Sequence, residues 1–363
     1  MKKHPLFQKI RAIYPVSFVL GLFLLVGLMS ITPPANAATP QDNDSVLVSL
    51  VTPSSGAILN PTFDRNKVKL GITPTGWSNS DDRTIDLNPP IPFQQILSET
   101  ALAGFKGSQM SPKYPQDLKE LKRELGMRNL TISEPWVGTE FTIGNGQETF
   151  KEFDKQVAFM KEMNGNSIVV AELGGAVHQK AGADPLVDRP KFTDQQWSDL
   201  TEGLNQLGAI AQENGMQLVY HPHIGTGVEN FEDIDRLMNN TDPNTVKLLL
   251  DTGHLYYAGV DPLAVTKKYV NRIKHVHLKN IRQPILNESK KTGRGFLDSI
   301  RAGIFTVPGD SAGAVNFQPI LQELAKANYE GWLMVEAEQD PNNAEPLQYA
   351  LMARTYLRDQ IGF

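Results

Sequence analysis

Carboxylate and imidazole side chains stand at or just after the ends of short apolar runs in the C-terminal half of this chain. Asp251, for example, directly follows three leucines, and Glu336 directly follows Leu-Met-Val. The full set is His221, His223, Asp251, His254, His275, His277, Glu336 and Glu338. Neutral imidazole and carboxylate together are ligands for divalent Mn, Fe, Co or Zn, and they suit Ca poorly. These residues therefore predict a divalent metal site.

An ion pair is the alternative to a metal at these positions. A buried carboxylate needs a cationic partner, because removing an isolated charge from water costs several kcal/mol. At the ends of these apolar runs, however, histidines are plentiful, and Lys279 is the exception to a general lack of lysine and arginine. We therefore favour a metal over an ion pair.

Some of these residues occur in pairs that are spaced by two positions, as in His275 and His277. On a strand, residues two apart share one face, and the later member lies nearer the C-terminal end. This position favours His277 as a ligand. His275 lies deeper, and we expect it to be a hydrogen-bonded core residue.

The elements that must position these side chains alternate between short apolar runs and longer amphipathic stretches from Val68 onward. Eight such units can be counted, and continuous apolar runs are typical of parallel strands covered on both faces. We therefore predict an α/β fold, a (β/α)8 TIM barrel whose strand ends line one functional mouth. Glu134 and Glu172, which end the third and fourth runs, are expected there too. A doubly wound open sheet is the alternative, but no run is followed by a GxGxxG or P-loop motif.

The first 37 residues are expected to be an export signal. Four basic residues precede the apolar run 16–31, and the sequence ANA at 35–37 forms a small-residue cleavage pattern. An uncleaved anchor is the alternative, but the run is shorter than the roughly 18 residues of a spanning helix. The mature protein is therefore expected in the periplasm or outside the cell, without stable membrane association.

The composition sets further limits on structure and partners. The formal charge of −5 becomes −9 without the four basic residues of the leader, which argues against nucleic-acid partners and acidic membranes. The absence of cysteine excludes disulfides, thiolate metal sites and cysteine nucleophiles. Residues 38–67 are rich in Thr, Pro, Ser, Asn and Asp and are predicted to be flexible, which leaves 68–363 as one barrel domain. An oligomer is compatible with the sequence.

Nine motifs extend this interpretation to a family. They are GITPTGWSN, SPKYP, VVAELGGAVH, DRPKFT, YHPHIGTGVE, LLLDTGHLYYAGVDP, RIKHVHLKNIR, GIFTVPGD and GWLMVEAEQDP. In this order they resemble the inosose dehydratase (2-keto-myo-inositol dehydratase) group within the xylose isomerase-like barrel superfamily of sugar phosphate isomerases and epimerases. The resemblance covers nearly the whole chain from Val68 onward. It implies a metal-dependent enzyme acting on a small polyol ketone or a sugar.

The resemblance also implies a ligand set. In the wider superfamily a divalent ion is held by a carboxylate ending strand five, an Asp on strand six, a His on strand seven and a Glu on strand eight. The last three positions match Asp251, His277 and Glu336. The first falls on His221, where isomerases and epimerases have glutamate, and imidazole differs from it in charge and base strength. The implied cofactor is Mn or Co.

The reaction implied by the resemblance is dehydration through an enediolate. A proton α to the ketone is removed and a β-hydroxyl then leaves as water. Glu338 or His223 is expected to take the proton, and His254 to protonate the departing hydroxyl or to assist coordination. Return of the proton to a neighbouring carbon would instead make the protein an isomerase or epimerase. A third alternative is an exported sugar-binding protein without turnover.

Overall fold

Parallel strands that curl into a barrel, with helices packed around them, make up residues 58–363, the part of the chain that this computed structural model describes. The strands are β1 (Val68–Ile72), β2 (Gly107–Ser108), β3 (Thr131–Ile132), β4 (Trp136–Thr139), β5 (Ser167–Glu172), β6 (Gln217–Tyr220), β7 (Val246–Asp251), β8 (Ile273–Leu278), β9 (Asn280–Ile281), β10 (Phe305–Thr306) and β11 (Gly331–Val335). The helices are α1 (Phe93–Leu102), α2 (Leu118–Gly126), α3 (Gly146–Glu162), α4 (Asp194–Glu213), α5 (Phe231–Asn239), α6 (Thr252–Tyr257), α7 (Pro262–Tyr269), α8 (Gln283–Thr292), α9 (Phe296–Arg301), α10 (Phe317–Lys326) and α11 (Pro346–Ile361). The predicted TIM barrel is confirmed.

The barrel closes through an interrupted strand. β3 pairs with β2, and β4 pairs with β5, while residues 133–135 lie between them. Across this gap the Glu134 carbonyl accepts a hydrogen bond from Met110 N at 2.9 Å, and the Pro135 carbonyl accepts one from Val169 N at 3.1 Å. Proline has no N–H to donate, so the ladder is interrupted without opening the barrel. The nine strands of the main sheet, within the described residues, therefore fill eight strand positions.

Side chains alternate between the two faces of each strand, and the position of a side chain along its strand sets its depth inside the barrel. Val169, Val219 and Leu249 form a small buried apolar cluster of their own. Asp251 lies two residues beyond Leu249 on β7, so it points to the same face but nearer the C-terminal end. There it is in register with His277 on β8. A strand that is apolar on both faces thus ends in a carboxylate because its tip reaches the mouth of the barrel.

Glycines in the first two strands make room for large side chains of β11. A Cβ atom at Gly71 would lie 2.4 Å from Met334 Sδ, and one at Gly107 would lie 2.4 Å from the Trp332 ring. Trp332, Met334 and Glu336 share one face because they are spaced by two. The two large side chains therefore fill the barrel below the position of Glu336.

The segment between β8 and β11 contains more elements than the helices that the amphipathic pattern predicts over 288–328. It contains α8, α9 and α10, and α8 already begins at Gln283. β10 lies between α9 and α10 and pairs with β9 in a small antiparallel sheet. Strands of two residues are too short to show a periodic apolar pattern, which is why the sequence did not indicate them.

Residues 58–67 pack against the last helix, although the composition predicts flexibility throughout 38–67. Leu59 and Phe63 are buried, and Leu59 N donates a hydrogen bond to the Gln360 carbonyl at 2.9 Å. The Phe63 ring also meets the Tyr329 ring edge-on. Two buried apolar side chains thus anchor a segment whose overall composition is polar.

The predicted leader and the rest of the predicted flexible segment lie outside the described residues. Within residues 58–363, none of the helices has the length and apolar character needed to span a bilayer.

Candidate active site

The four side chains predicted as metal ligands converge at the C-terminal end of the barrel. His277 Nδ1 on β8 lies 3.7 Å from Asp251 Oδ2 on β7. Glu336, which follows β11, places Oε2 2.6 Å from the same nitrogen. His221, which follows β6, places Nε2 3.4 Å from Asp251 Oδ2. All four side chains are buried, so the strand ends form one compact ionisable cluster.

The two carboxylate oxygens of Asp251 have different roles: one caps a helix, and the other faces the ionisable cluster. Oδ1 accepts hydrogen bonds from the backbone N–H groups of Gly253 at 2.9 Å and His254 at 2.8 Å, which caps α6. Oδ2 forms no hydrogen bond within residues 58–363 and faces His221 and His277. The cap therefore fixes the carboxylate with one oxygen available to a ligand.

Glu134 faces Nε2 of the His277 ring, whereas Asp251 and Glu336 face Nδ1. It also contacts His275, so it lies deeper in the barrel than the position at the mouth that the sequence predicts. Its Oε1 lies 3.6 Å from His277 Nε2, and its Oε2 lies 3.4 Å from His275 Nε2. Burial would raise the pKa of Glu134, but His275 and His277 outweigh this effect and lower it to about 2. His275 is buried in the core, yet neither of its ring nitrogens forms a hydrogen bond to the described residues.

Lys279 is the main residue that the sequence analysis left without a role. Its Nζ lies 2.8 Å from Glu338 Oε1, 3.2 Å from Glu336 Oε2 and 3.3 Å from Asp251 Oδ2. The side chain is fully buried. Burial would lower the pKa of Lys279, but the three carboxylates raise it above its ordinary value. The ion pair considered as an alternative to a metal is therefore present in the cluster.

Two sequence signals could have placed Lys279 in the site. It stands two residues after His277 and so continues the same strand face. The glycine of the DTGH motif is the second signal, because a Cβ atom at Gly253 would lie 2.4 Å from Lys279 Cγ. The neighbouring Thr252 hydroxyl donates to the Lys279 carbonyl at 2.7 Å. Thr252 and Gly253, at the start of α6, thus pack directly against Lys279.

Lys279 alone does not satisfy the cluster. Within the described part of the chain, Asp251 Oδ2 and both ring nitrogens of His221 form no hydrogen bonds. His221, Asp251 and His277 each place one donor atom within 4.8 Å of the others. Burial would lower the pKa of His277, but Glu336, Asp251 and the deeper carboxylate raise it well above its ordinary value. Surroundings that favour positive charge at His277 also favour a divalent cation, and the imidazole and carboxylate donor set fits one.

The three predicted catalytic residues form a second group beside the first. His254 Nε2 lies 2.8 Å from Lys279 Nζ and must accept, since an ammonium group only donates. The His223 ring lies against His254, with centroids 3.8 Å apart, and its Nδ1 donates to the Ile224 carbonyl at 2.8 Å. Burial lowers the pKa of both histidines and raises that of Glu338 to about 8. The group therefore holds two imidazoles that stay neutral and a carboxyl group that binds a proton more tightly than an exposed glutamate does.

Glu172 lies outside both groups, contrary to the expectation that it lines the mouth. Its carboxylate accepts five hydrogen bonds from backbone and hydroxyl groups, including bonds of 2.7 Å from Thr139 and Thr142. Such neutral donors satisfy a buried carboxylate. Glu172 therefore fixes the loop after β4 rather than serving the cluster.

A cavity of about 530 Å³ opens onto both groups. Its polar lining includes His178, His221, His223, His254, Glu336 and Glu338. Its apolar lining includes Met110, Trp136, Phe159 and Leu173. A small-molecule site typically has this combination of volume, apolar surface and a few polar groups.

Comparison with known proteins agrees with this fold and adds a family. The model of the family described as xylose isomerase-like TIM barrel matches residues 97–359. Inosose dehydratase from Clostridium tetani (strain Massachusetts / E88) is 46% identical over 298 residues, which cover 82% of this chain and 99% of that protein. Inosose dehydratase from Clostridium botulinum (strain Alaska E43 / Type E3) is 48% identical over 298 residues with the same coverage.

Solved structures add agreement on the fold. The crystal structure of a sugar phosphate isomerase/epimerase from Parabacteroides distasonis ATCC 8503 matches with a TM-score of 0.57 at 18% identity. The match covers 82% of this chain and 95% of that one. The family resemblance read from the motifs is thus confirmed by both sequence and fold. The chain belongs to the xylose isomerase-like TIM barrel family and, within it, to the inosose dehydratase group of hydro-lyase enzymes.

Proposed function

We propose that this enzyme removes water from an inosose, a cyclic polyol with one ketone, and that it uses a bound divalent ion. Relatives at 46% and 48% identity are named inosose dehydratase. The convergence of Asp251, His277 and Glu336 on one point beside Glu338 is the observation that carries the proposal.

The metal part of the proposal rests on Asp251 Oδ2 and the His221 ring nitrogens, which form no hydrogen bonds within residues 58–363. Asp251 Oδ2, His221, His277 and Glu336 would hold the ion, and Mn or Co suits this mixed imidazole and carboxylate set. A divalent ion bound there supplies positive charge that stabilises the enolate oxygen of the reacting ketone. The Lys279 ammonium adds a fixed positive charge at the same edge of the cavity.

Glu338 is the proposed base. Its pKa is raised to about 8 by burial, so its carboxylate is a stronger base than an exposed glutamate. Its Oε2 has no hydrogen-bond partner among the described residues, whereas Oε1 is held by Lys279. The C–H bond α to the ketone breaks, its proton goes to Glu338, and the electron pair forms the enolate. His223 is the weaker candidate, because burial lowers its pKa.

His254 is the proposed acid. Because Nε2 accepts from Lys279, the ring proton is on Nδ1, which has no partner within residues 58–363. As the enolate collapses, the C–O bond at the β-carbon breaks and the departing hydroxyl takes this proton to leave as water. Lys279 is placed to return a proton to the ring.

Isomerisation or epimerisation shares the proton abstraction and differs in the fate of the enolate. The structural neighbour named sugar phosphate isomerase/epimerase is only 18% identical, so its similarity supports the fold alone. The much higher identity to dehydratases therefore favours loss of water. Binding without turnover would need a site without a base, and Glu338 argues against it.

Product analysis tests the proposal. Purified enzyme is incubated with 2-keto-myo-inositol and Mn²⁺ or Co²⁺, and the products are followed by mass spectrometry and ultraviolet absorbance. We expect loss of one water and an absorbing enone or dione. Asp251→Asn and Glu336→Gln should lose bound metal and activity together, and Glu338→Gln should lose activity but keep the metal. A product with the mass of the substrate would support the isomerase instead, and full turnover by the metal-free enzyme would refute the metal site.

We further propose that the enzyme is exported. The basic residues, apolar run and ANA sequence of the first 37 residues support this. Mass spectrometry of the mature protein should find an N-terminus near Ala38 in the periplasmic or extracellular fraction. An intact Met1 in the soluble cell extract would contradict it.

A further inference from the structure

A third imidazole, outside the predicted site residues, lines the same cavity. His178 lies in the loop between β5 and α4, and its ring centroid is 4.9 Å from that of His223. The rings of His178, His223 and His254 all pack near the buried Phe296, at 6.1, 5.4 and 6.0 Å. The three imidazoles thus share one aromatic backing in the wall of the cavity.

One ring nitrogen of His178, Nδ1, has no hydrogen-bond partner among residues 58–363. The residue is only 6% exposed, and this nitrogen is buried. A buried polar group without a partner costs free energy, so such groups usually have one. His178 lines the cavity, and its Nδ1 lacks a partner within the described part of the chain, so the ring points to a ligand with hydroxyl groups.

A buried ion-pair network fixes the loop that carries this histidine. Arg189, with a side chain that is 2% exposed, places Nε 2.8 Å from Glu229 Oε1 and Nη2 2.8 Å from Asp233 Oδ2. Its Nη1 also donates to the carbonyls of Thr226 and Gly227, each at 3.3 Å. These partners belong to the loop that follows β6 and to the start of α5. We call this group the Arg189 clamp.

Two hydrogen bonds from its sequence neighbours, Val177 and Gln179, hold His178 in place. Val177 N donates to the Gly225 carbonyl at 2.8 Å, and a Cβ atom at Gly225 would lie only 3.0 Å from His178 N. Gly225 has φ of +76°, a conformation that glycine adopts readily. On the other side, Gln179 Nε2 donates to Asp81 Oδ1 at 3.1 Å. The loop is therefore held in place beside the cavity by contacts with Gly225 and Asp81.

We propose that His178 is a further substrate-binding residue of this enzyme, which hydrogen-bonds a ring hydroxyl of the cyclic polyol and so determines specificity for hydroxylated rings. The proposal rests on the proposed inosose substrate and adds a contact that the metal and base do not make. Burial lowers the pKa of His178, so the ring is neutral and can both donate and accept, as a hydroxyl partner requires.

Two substitutions separate hydrogen bonding from packing. His178→Phe keeps an aromatic ring against Phe296 and His223 but removes both nitrogens. His178→Gln loses the ring but carries an amide at about the distance of Nε2. Lys180→Ala, an exposed change in the same loop, is the matched control.

Steady-state kinetics with 2-keto-myo-inositol and calorimetric titration with unreactive myo-inositol provide the readouts, with metal content measured alongside. His178→Phe should raise KM and weaken myo-inositol binding about tenfold or more, as expected for a hydroxyl that loses its partner. Its kcat should change by less than about threefold, and its metal content should not change. His178→Gln should recover most of the loss, and Lys180→Ala should match the wild type.

Each other outcome has a definite meaning. Wild-type KM and binding in His178→Phe would overturn the proposal, and so would equal defects in the Phe and Gln variants, since these would indicate packing alone. If the wild type binds myo-inositol and His178→Phe binds it more weakly, but 2-keto-myo-inositol loses no water, the proposed function fails while the His178 contact stands. If the wild type binds neither polyol, both proposals fail.

Discussion

The ammonium group of Lys279 lies 2.8 Å from the carboxylate of Glu338 in a site where both side chains are buried. The same group contacts two of the predicted metal ligands, at 3.2 and 3.3 Å. One monocation therefore holds three acidic side chains close together before any metal binds. Lys279 and a divalent ion would act on the same carboxylates, so the stability of the site should depend on both.

Lys279→Met should destabilise the metal-free enzyme. Removing the cation leaves buried carboxylates unpaired, which should lower the free energy of unfolding by about 3–5 kcal/mol. Added Mn²⁺ should recover part of the loss, because the ion binds the folded state. Thermal unfolding after chelation, with and without Mn²⁺, measures both effects. The control is Lys67→Met, which removes an exposed ion pair to Glu330 and should change little. Equal stability of the Lys279 variant and the control would contradict this account.

Gly253→Ala should disable catalysis without unfolding the barrel. The new Cβ atom would meet Lys279 Cγ at 2.4 Å and would push the lysine away from Glu338. Because displacements of about 1 Å in a catalytic group can cost about 100-fold, we expect a drop of that order in kcat. Gly126→Ala at the end of α2 is the control, since its Cβ would meet nothing within 4 Å. Wild-type kcat in Gly253→Ala would show that Lys279 can move without consequence.

Glu134→Gln should weaken metal binding although Glu134 is not a predicted ligand. Its carboxylate contacts His277 Nε2 at 3.6 Å and favours the orientation in which Nδ1 faces Asp251 and Glu336. Loss of such a supporting carboxylate typically costs 10–100-fold in metal affinity, and we expect about that range here. Titration of the chelated enzyme with Mn²⁺ gives the dissociation constant.

Glu172→Gln is the matched control for this titration. It also alters a buried carboxylate at a strand end, but Glu172 bonds only to the surrounding loop and strands. It should reduce thermal stability while leaving the Mn²⁺ affinity unchanged. If both variants lost affinity equally, the effect of Glu134 would be one of general stability.

The sequence predicts the barrel and the direction of the site residues well, because both depend on the two-residue period of a strand. Asp251 and His277 could be placed at one mouth from their positions after apolar runs. Glu172 satisfies the same rule, yet its side chain turns to Thr139 and Thr142. Which face of a strand points inward at its last residue depends on the neighbouring loop, and the period does not reveal it.

Lys279 and His178 are not among the site residues predicted from the sequence, for two different reasons. A lysine at a strand end is more often exposed than buried, and only the space left by Gly253 shows where its chain runs. His178 lies in a long loop, whose path is set by the Arg189 clamp. That clamp joins segments about forty residues apart in sequence, and such contacts leave no local pattern.

The stabilisation that three buried, neutral histidines contribute to the metal-free enzyme should be lost as the pH falls below about 6.5, the ordinary pKa of histidine. His277 and Glu338, whose pKa values are raised in the folded state, change the stability in the opposite direction. Burial lowers the pKa of His178, His223 and His254 in the folded state. Between the ordinary and the lowered pKa the unfolded chain binds protons that the folded chain does not, so each histidine removes up to about 1.4 kcal/mol per pH unit. Above the ordinary pKa all are neutral in both states, and this stabilisation is fully present. Urea unfolding at about pH 7.5 and about pH 5.5 measures the net change in the free energy of unfolding. His178→Phe cannot titrate at this position, so the variant should gain stability relative to the wild type as the pH is lowered over this interval. The same pH dependence in both proteins would mean that His178 binds its proton equally well in the folded and the unfolded chain.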